Sequence, residues 1–172
     1  MTRSPLKIPF YRQQKDYTCV PATFRMALAA YGRRLSEPYL ARLCDTTAKR
    51  GTSNWAMSRA MRRLNWPYLT GYRIRYNALS HYTTHGIVIV DWSPQLIYPE
   101  HPEFQHSHCF DPDKESHVAI VISAAQKFVT LQDSVLGRRV RVRRKDFLKA
   151  WRNPRSKSRH WMFVLLPPER ED

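Results

Sequence analysis

The stretch Gln13-Gln14-Lys15-Asp16-Tyr17-Thr18-Cys19-Val20-Pro21-Ala22, running on through Phe24, Leu28 and Tyr31 to Gly32, decides how the rest of the chain is read. Pro21 suits the first turn of a helix, where its missing N–H costs nothing. Phe24, Leu28 and Tyr31 recur at helical spacing and give that helix an apolar face. Gly32 supplies the stop. Cys19 therefore stands at the start of a helix, where free N–H groups and the macrodipole favour negative charge on a thiol.

Upstream of this helix, Pro5 and Pro9 predict an extended arm over residues 1–16. Downstream, Ser36 and Pro38 look like the N-cap and first turn of a second helix carrying Tyr39, Leu40, Leu43 and Cys44. Thr52 or Ser53 would cap a third through Trp55, Met57, Met61 and Leu64, with Arg59, Arg62 and Arg63 facing solvent. After Pro67 the pattern turns to strands. Residues 68–76 read as strand or loop and 77–81 as a short helix. Gly86–Asp91, His117–Ser123 and Lys127–Asp133 are β-branched, buried strands. Arg138–Arg143 alternates Arg and Val like an edge strand. Asp146–Trp151 is a short helix, Asn153–Arg159 a basic loop and His160–Leu166 a last strand. Residues 93–116 hold four prolines and little periodicity, and read as a long loop insertion. Helices first and strands afterwards predict an α+β class, with N-terminal helices packed on a C-terminal antiparallel sheet. The 172 residues make one domain, 1–172.

Composition sets outer bounds. With 42% hydrophobic residues the chain can build a core and is not of the disordered class. No apolar run approaches the roughly 20 residues of a membrane span. The first residues lack a signal-peptide core, which predicts a cytoplasmic protein. Three cysteines, an odd number, argue against a disulfide framework. Lys and Arg total 29 against 14 acidic residues, a net charge of +15 that would attract polyanions such as nucleic acid or an acidic partner. Trp151 and Trp161 flank the last basic loop, and aromatics among cations suit contact with nucleic acid, more of a nonspecific than of a base-reading kind. Nothing here predicts an oligomeric state.

The chemistry centres on Cys19. A thiol becomes a useful nucleophile as a thiolate, and a nearby imidazole both favours that form and later protonates the leaving group. Gln13, six residues earlier, can donate its side-chain amide to a developing oxyanion together with a backbone N–H of the cysteine. One such donor is worth on the order of 3 kcal/mol in a transition state. Gln14 competes for that role, and spacing favours Gln13.

The run from Gln13 to Ala22, with the helix closing on Ala30-Tyr31-Gly32, resembles the bacteriocin leader-processing (double-glycine) cysteine peptidases and their stand-alone relatives. Those proteins open with a Gln, then Cys-Gly-Pro-Ala or a similar run. They later carry a His at the start of one strand and an Asp at the end of the next. His117 and Asp133 occupy those places, and the likeness covers roughly residues 8–151. It implies a papain-like fold with Gln13 as oxyanion donor, Cys19 as nucleophile, His117 as base and Asp133 as the carboxylate that orients it. It also implies a peptide or protein substrate with small residues before the cut, Gly-Gly among them, and no cofactor. The sequence departs from the family at Val20, where Gly is usual, at Asp133-Ser134, where Asp-Pro is usual, and in its longer 93–116 segment.

Other readings stand beside this one. Acyl transfer to an amine, as in the related phytochelatin synthases, is a variant of the same chemistry. An inactive relative that binds a peptide or a polyanion through its basic surface is the alternative. His101, His106, His108, Cys109 and Asp111 crowd one loop, but their spacing fits no standard zinc pattern, so no metal is expected. Cys44 reads as an apolar-face bystander.

Overall fold

Pro21 in its first turn and Gly32 just past its end frame the first helix, α1 (Cys19–Ala30), in the computed structural model, which describes residues 6–100, 102, 117–153 and 158–168. Gly32 adopts φ +88, a left-handed conformation that glycine tolerates without a Cβ clash, and Arg33 N–H then closes back onto Leu28 O at 2.9 Å. α1 is buried over most of its surface, as its apolar sequence requires. Ser36 and Ser53 cap α2 (Glu37–Leu43) and α3 (Asn54–Arg63), accepting from Tyr39 N–H and Ala56 N–H at 3.3 and 3.2 Å.

On α3 the expected faces need correction. Trp55 is 62% exposed, not part of the apolar face. Arg59 is half-buried: its guanidinium lies over the Trp55 ring and pairs with Asp45. The reason is geometric. Met57 and Met61, four apart, face the core, and that turns Trp55 outward.

Six strands follow, with α4 (Tyr76–Thr83) after the first of them: β1 (Tyr68–Gly71), β2 (Ile87–Trp92), β3 (His117–Ala124), β4 (Phe128–Asp133), β5 (Arg138–Arg143) and the last of the sheet, β8 (Met162–Leu165). Between β5 and β8 lie α5 (Arg144–Ala150) and a two-stranded ribbon, β6 (Arg152–Asn153) with β7 (Ser158–Arg159). The sheet is antiparallel in the order β1-β8-β2-β3-β4-β5. Alternation along the strands divides the core in two. Ile87, Ile89, Val118, Ile120 and Phe163 pack with α1 and α3. Val88, Val90, Trp92, Ala119 and Leu131 pack on the other face with Leu79 of α4 and Phe147 of α5. Gly86 lets β2 meet β8 closely, since a Cβ there would lie 2.4 Å from Leu165 O.

Trp151 and Trp161 are core residues, 0% and 1% exposed, with Trp151 Nε1–H donating to Trp161 O at 2.7 Å. They are therefore not surface aromatics for stacking on bases, because their rings satisfy the interior instead. The basic edge is real: Arg138, Arg139, Arg141 and Arg143 project to solvent from β5 while Val140 and Val142 point inward. Charged residues on an edge strand discourage sheet-to-sheet pairing. No helix of the described residues is long and apolar enough to cross a membrane.

What this architecture does for function follows from strand direction. β3 and β4 are antiparallel, so the start of β3 and the end of β4 lie at the same end of the sheet. β2 runs against β3 with Trp92 opposite His117. Helix α1 packs on β3 and brings its N-terminus to that same end.

Candidate active site

Three expected residues meet there. Asp133, the last residue of β4, is fully buried, and His117, the first of β3, is 2% exposed. His117 Nε2 lies 2.9 Å from Asp133 Oδ2. That leaves Nδ1 for the thiol of Cys19, which hydrogen-bonds the His117 ring. Cys19 itself is half-buried.

Asp133 is held by four donors. Trp92 Nε1–H reaches Oδ2 at 3.1 Å, beside the His117 contact. Val135 and Leu136 N–H groups reach Oδ1 at 2.9 and 3.1 Å. Each oxygen thus accepts two hydrogen bonds and the carboxylate plane is locked. Burial alone would raise the Asp133 pKa, but His117 charge, the His117 hydrogen bond and the two backbone N–H groups outweigh it and hold the carboxyl below its ordinary range. For His117, burial works against the charged ring. The Asp133 charge and hydrogen bond, then the Cys19 hydrogen bond and charge, overcome it and raise the pKa to about 10. The imidazolium is the favoured form of the ring near neutrality.

This pair carries a pH signature. The raised His117 pKa contributes stability in full below the ring's ordinary value of 6.5, and loses it as pH rises towards about 10. The lowered Asp133 pKa contributes in full above its ordinary 3.8, and loses it as pH falls through the lowered folded value. Thermal unfolding followed by circular dichroism is expected to show Tm falling between pH 6.5 and 10, with that fall flattened in His117→Ala.

Gln13 is tied to Ser134, the residue after Asp133. Its backbone N–H donates to Ser134 O at 3.2 Å, and Ser134 Oγ donates to Gln13 Oε1 at 2.9 Å, so the residue next to Asp133 fastens it. Its Nε2 gives hydrogen bonds to Lys15 O at 2.8 Å and Asp16 O at 3.0 Å, within the loop before Cys19. Reaching an oxyanion requires the amide to share or exchange one of these. The Cys19 N–H, at the first position of α1, has no backbone acceptor among the described residues. Gln14 is exposed and engages Glu37 through its backbone N–H.

Sequence reasoning missed Trp92 and Glu37. Trp92 ends an apolar strand, where an aromatic ring signals packing and nothing about its indole N–H. Glu37 follows an N-cap serine, where an acid is ordinary. The cluster His101, His106, His108, Cys109 and Asp111 lies outside the described residues. Among the described residues no group of three or more His, Cys, Asp or Glu could hold a metal. Cys44 is buried, and burial raises its thiol pKa to about 12 although Arg59 and Arg63 pull it down.

Helices on a six-stranded antiparallel sheet, with a cysteine opening the first helix and a histidine opening a strand, make up the fold of the papain-like peptidases. The chain belongs to the Peptidase C39-like family, whose sequence profile matches residues 5–158. It is similar in fold to a double glycine motif protease from an AMS/PCAT transporter, solved in complex with the leader peptide. The identity is 16%, 98% of this chain and 97% of that one are covered, and the TM-score is 0.68. It is likewise similar to the peptidase domain of Streptococcus ComA, a bi-functional ABC transporter involved in a quorum sensing pathway, at 17% identity, 94% and 100% coverage and a TM-score of 0.68. No curated protein matches the chain. Family and fold are those of cysteine peptidases.

Proposed function

We propose that this chain is an active cysteine peptidase that cleaves a peptide by way of an acyl-enzyme. The observation that carries the reading is the unbroken chain Cys19–His117–Asp133, assembled from α1, β3 and β4 at one end of the sheet. The Cys19 thiolate attacks the scissile carbonyl carbon, and its oxygen takes the negative charge. The Cys19 N–H and the Gln13 amide stabilise that oxyanion. His117 gives its Nδ1 proton to the leaving amine as the C–N bond breaks, leaving a thioester. His117 then takes a proton from water, whose oxygen attacks the thioester, and Cys19 departs as thiolate. Asp133 holds the ring so that Nδ1 faces sulfur throughout.

The leader-peptide complex of the similar protease supports a peptide substrate here, and small residues before the cut, Gly-Gly among them, are the first to try. Val20 stands where Gly is usual, yet its side chain is buried in the helical core with Phe24 and Leu28. It thickens the packing of α1 and does not occupy the open side of the thiol.

The test is the rate of Cys19 alkylation by iodoacetamide against pH, in the wild type and in His117→Ala. At pH 6.5 the histidine variant is expected to react more than about tenfold slower, because the imidazolium that favours the thiolate is gone. Equal, slow rates in both proteins would mean that the pair is not assembled in solution, and would point to a non-catalytic binding module instead.

A further inference from the structure

Thr18 occupies the N-cap position of α1, yet its side chain makes no cap hydrogen bond. Its hydroxyl is turned to Glu37 Oε1 at 2.6 Å, across nineteen residues of sequence. The same Oε1 accepts the Gln14 N–H at 2.7 Å. Lys15 N–H donates to Thr18 Oγ1 at 3.1 Å, so the loop 13–18 is knotted around one hydroxyl that Glu37 holds from outside. The hydroxyl has a single proton to give. Lys15 O lies within reach at 2.9 Å, but the Glu37 oxygen is nearer at 2.6 Å. Lys15 O is also an acceptor for the Gln13 amide, so the Thr18 hydroxyl and that amide meet at one carbonyl.

Glu37 is 2% exposed, its Oε2 has no hydrogen-bond partner, and no cation pairs with it among the described residues.

We propose that Glu37 is a positioning residue for oxyanion stabilisation: it holds the Thr18 hydroxyl and the Gln14 N–H, and through them the loop 13–18 that carries the Gln13 amide and leads into Cys19. The inference rests on the peptidase reading above. Removing Glu37 frees the hydroxyl to cap α1 at the Val20 N–H or to turn to Lys15 O alone, and either move shifts the loop that carries the Gln13 amide.

Two probes separate this role from a structural one. Iodoacetamide alkylation of Cys19 needs the thiolate–imidazolium pair and no oxyanion site. N-acetyl-glycyl-glycinal needs both: the sulfur adds to the aldehyde carbon, the oxygen takes up the proton, and the adduct's oxygen occupies the oxyanion position. Its affinity is read as protection of Cys19 from alkylation. In Glu37→Ala, alkylation at pH 6.5 is expected to stay within about twofold of wild type while aldehyde affinity falls about tenfold or more. Glu37→Gln, which keeps an acceptor, is expected to recover most of that affinity. Thr18→Val, which deletes the hydroxyl that Glu37 holds, is expected to show the same tenfold loss, and decides the matter if Glu37→Ala does not fold by circular dichroism. Aldehyde affinity unchanged in a folded Glu37→Ala or Thr18→Val overturns the inference. So does a parallel loss of alkylation, or a wild type that alkylates fast yet is not protected by the aldehyde. A wild type without fast alkylation overturns the peptidase reading itself.

Discussion

Asp133→Ala is expected to cost about 3–5 kcal/mol of folding stability, the range found when one partner of a buried pair is deleted. In a chain of this size that corresponds to a fall in Tm of roughly 6–20 °C, measured by differential scanning calorimetry. The magnitude follows from what the carboxylate satisfies. Its removal orphans the Trp92 indole N–H and the Val135 and Leu136 N–H groups, and leaves His117 buried without its counter-charge. Asp133→Asn is expected to divide stability from activity. The amide oxygen can still accept from Val135 and Leu136, but its NH2 then faces two donors, Trp92 and His117 Nε2. The ring escapes the clash by moving its proton to Nδ1 and offering Nε2 as acceptor. Neutral and in that tautomer, it cannot form an ion pair with the Cys19 thiolate without first gaining a proton, so peptide cleavage should fall by about 100-fold or more. An Asp133→Asn protein as active as wild type would show that the carboxylate serves folding alone.

Cys19→Ala is expected to abolish cleavage, with a loss on the order of 10^4-fold or more, because among the described residues no other thiol stands beside His117 to form the acyl intermediate. Cys44 cannot substitute: it is buried in the helical core with its thiol pKa near 12. The measurement is mass spectrometry of a peptide library incubated with wild type, Cys19→Ala and Cys44→Ala; only Cys19→Ala should leave every peptide intact. The folding cost should be about 1 kcal/mol or less, since a half-buried sulfur at a helix start contributes little to the core. Persistent cleavage by Cys19→Ala at the wild-type rate would remove the nucleophile from the proposal.

Much of this was legible in the chain, and the reasons can be read from particular residues. The segment from Cys19 to Gly32 behaves as its own signals predict, because proline at the third helical position and glycine just beyond the end act on their own backbone, whereas residues 14–17, the last of them just past the expected extended arm, bend and turn instead. The β-branched runs at 87–92, 117–124 and 128–133 form strands for the same reason. The readings that needed correction concern surfaces. Trp55 and Arg59 exchange the exposures expected of them, and Trp151 and Trp161 turn inward from a loop whose charges suggested a surface role. A residue's type says what it would gain by burial, not which neighbour arrives to cover it.

The sequence by itself determined the helix ends, the passage from helices to strands, and the order in which Gln13, Cys19, His117 and Asp133 come along the chain. Those features rest on dihedral preferences and bonds that span a few residues. Only the tertiary structure decided that the last strand, β8, lies inside the sheet between β1 and β2. It alone placed Trp92 against Asp133, and Glu37 against Thr18. Strand order and buried hydrogen bonds depend on which surfaces pack, and that choice is made by the free energy of the whole core, so it leaves no periodic mark on the residues that carry it.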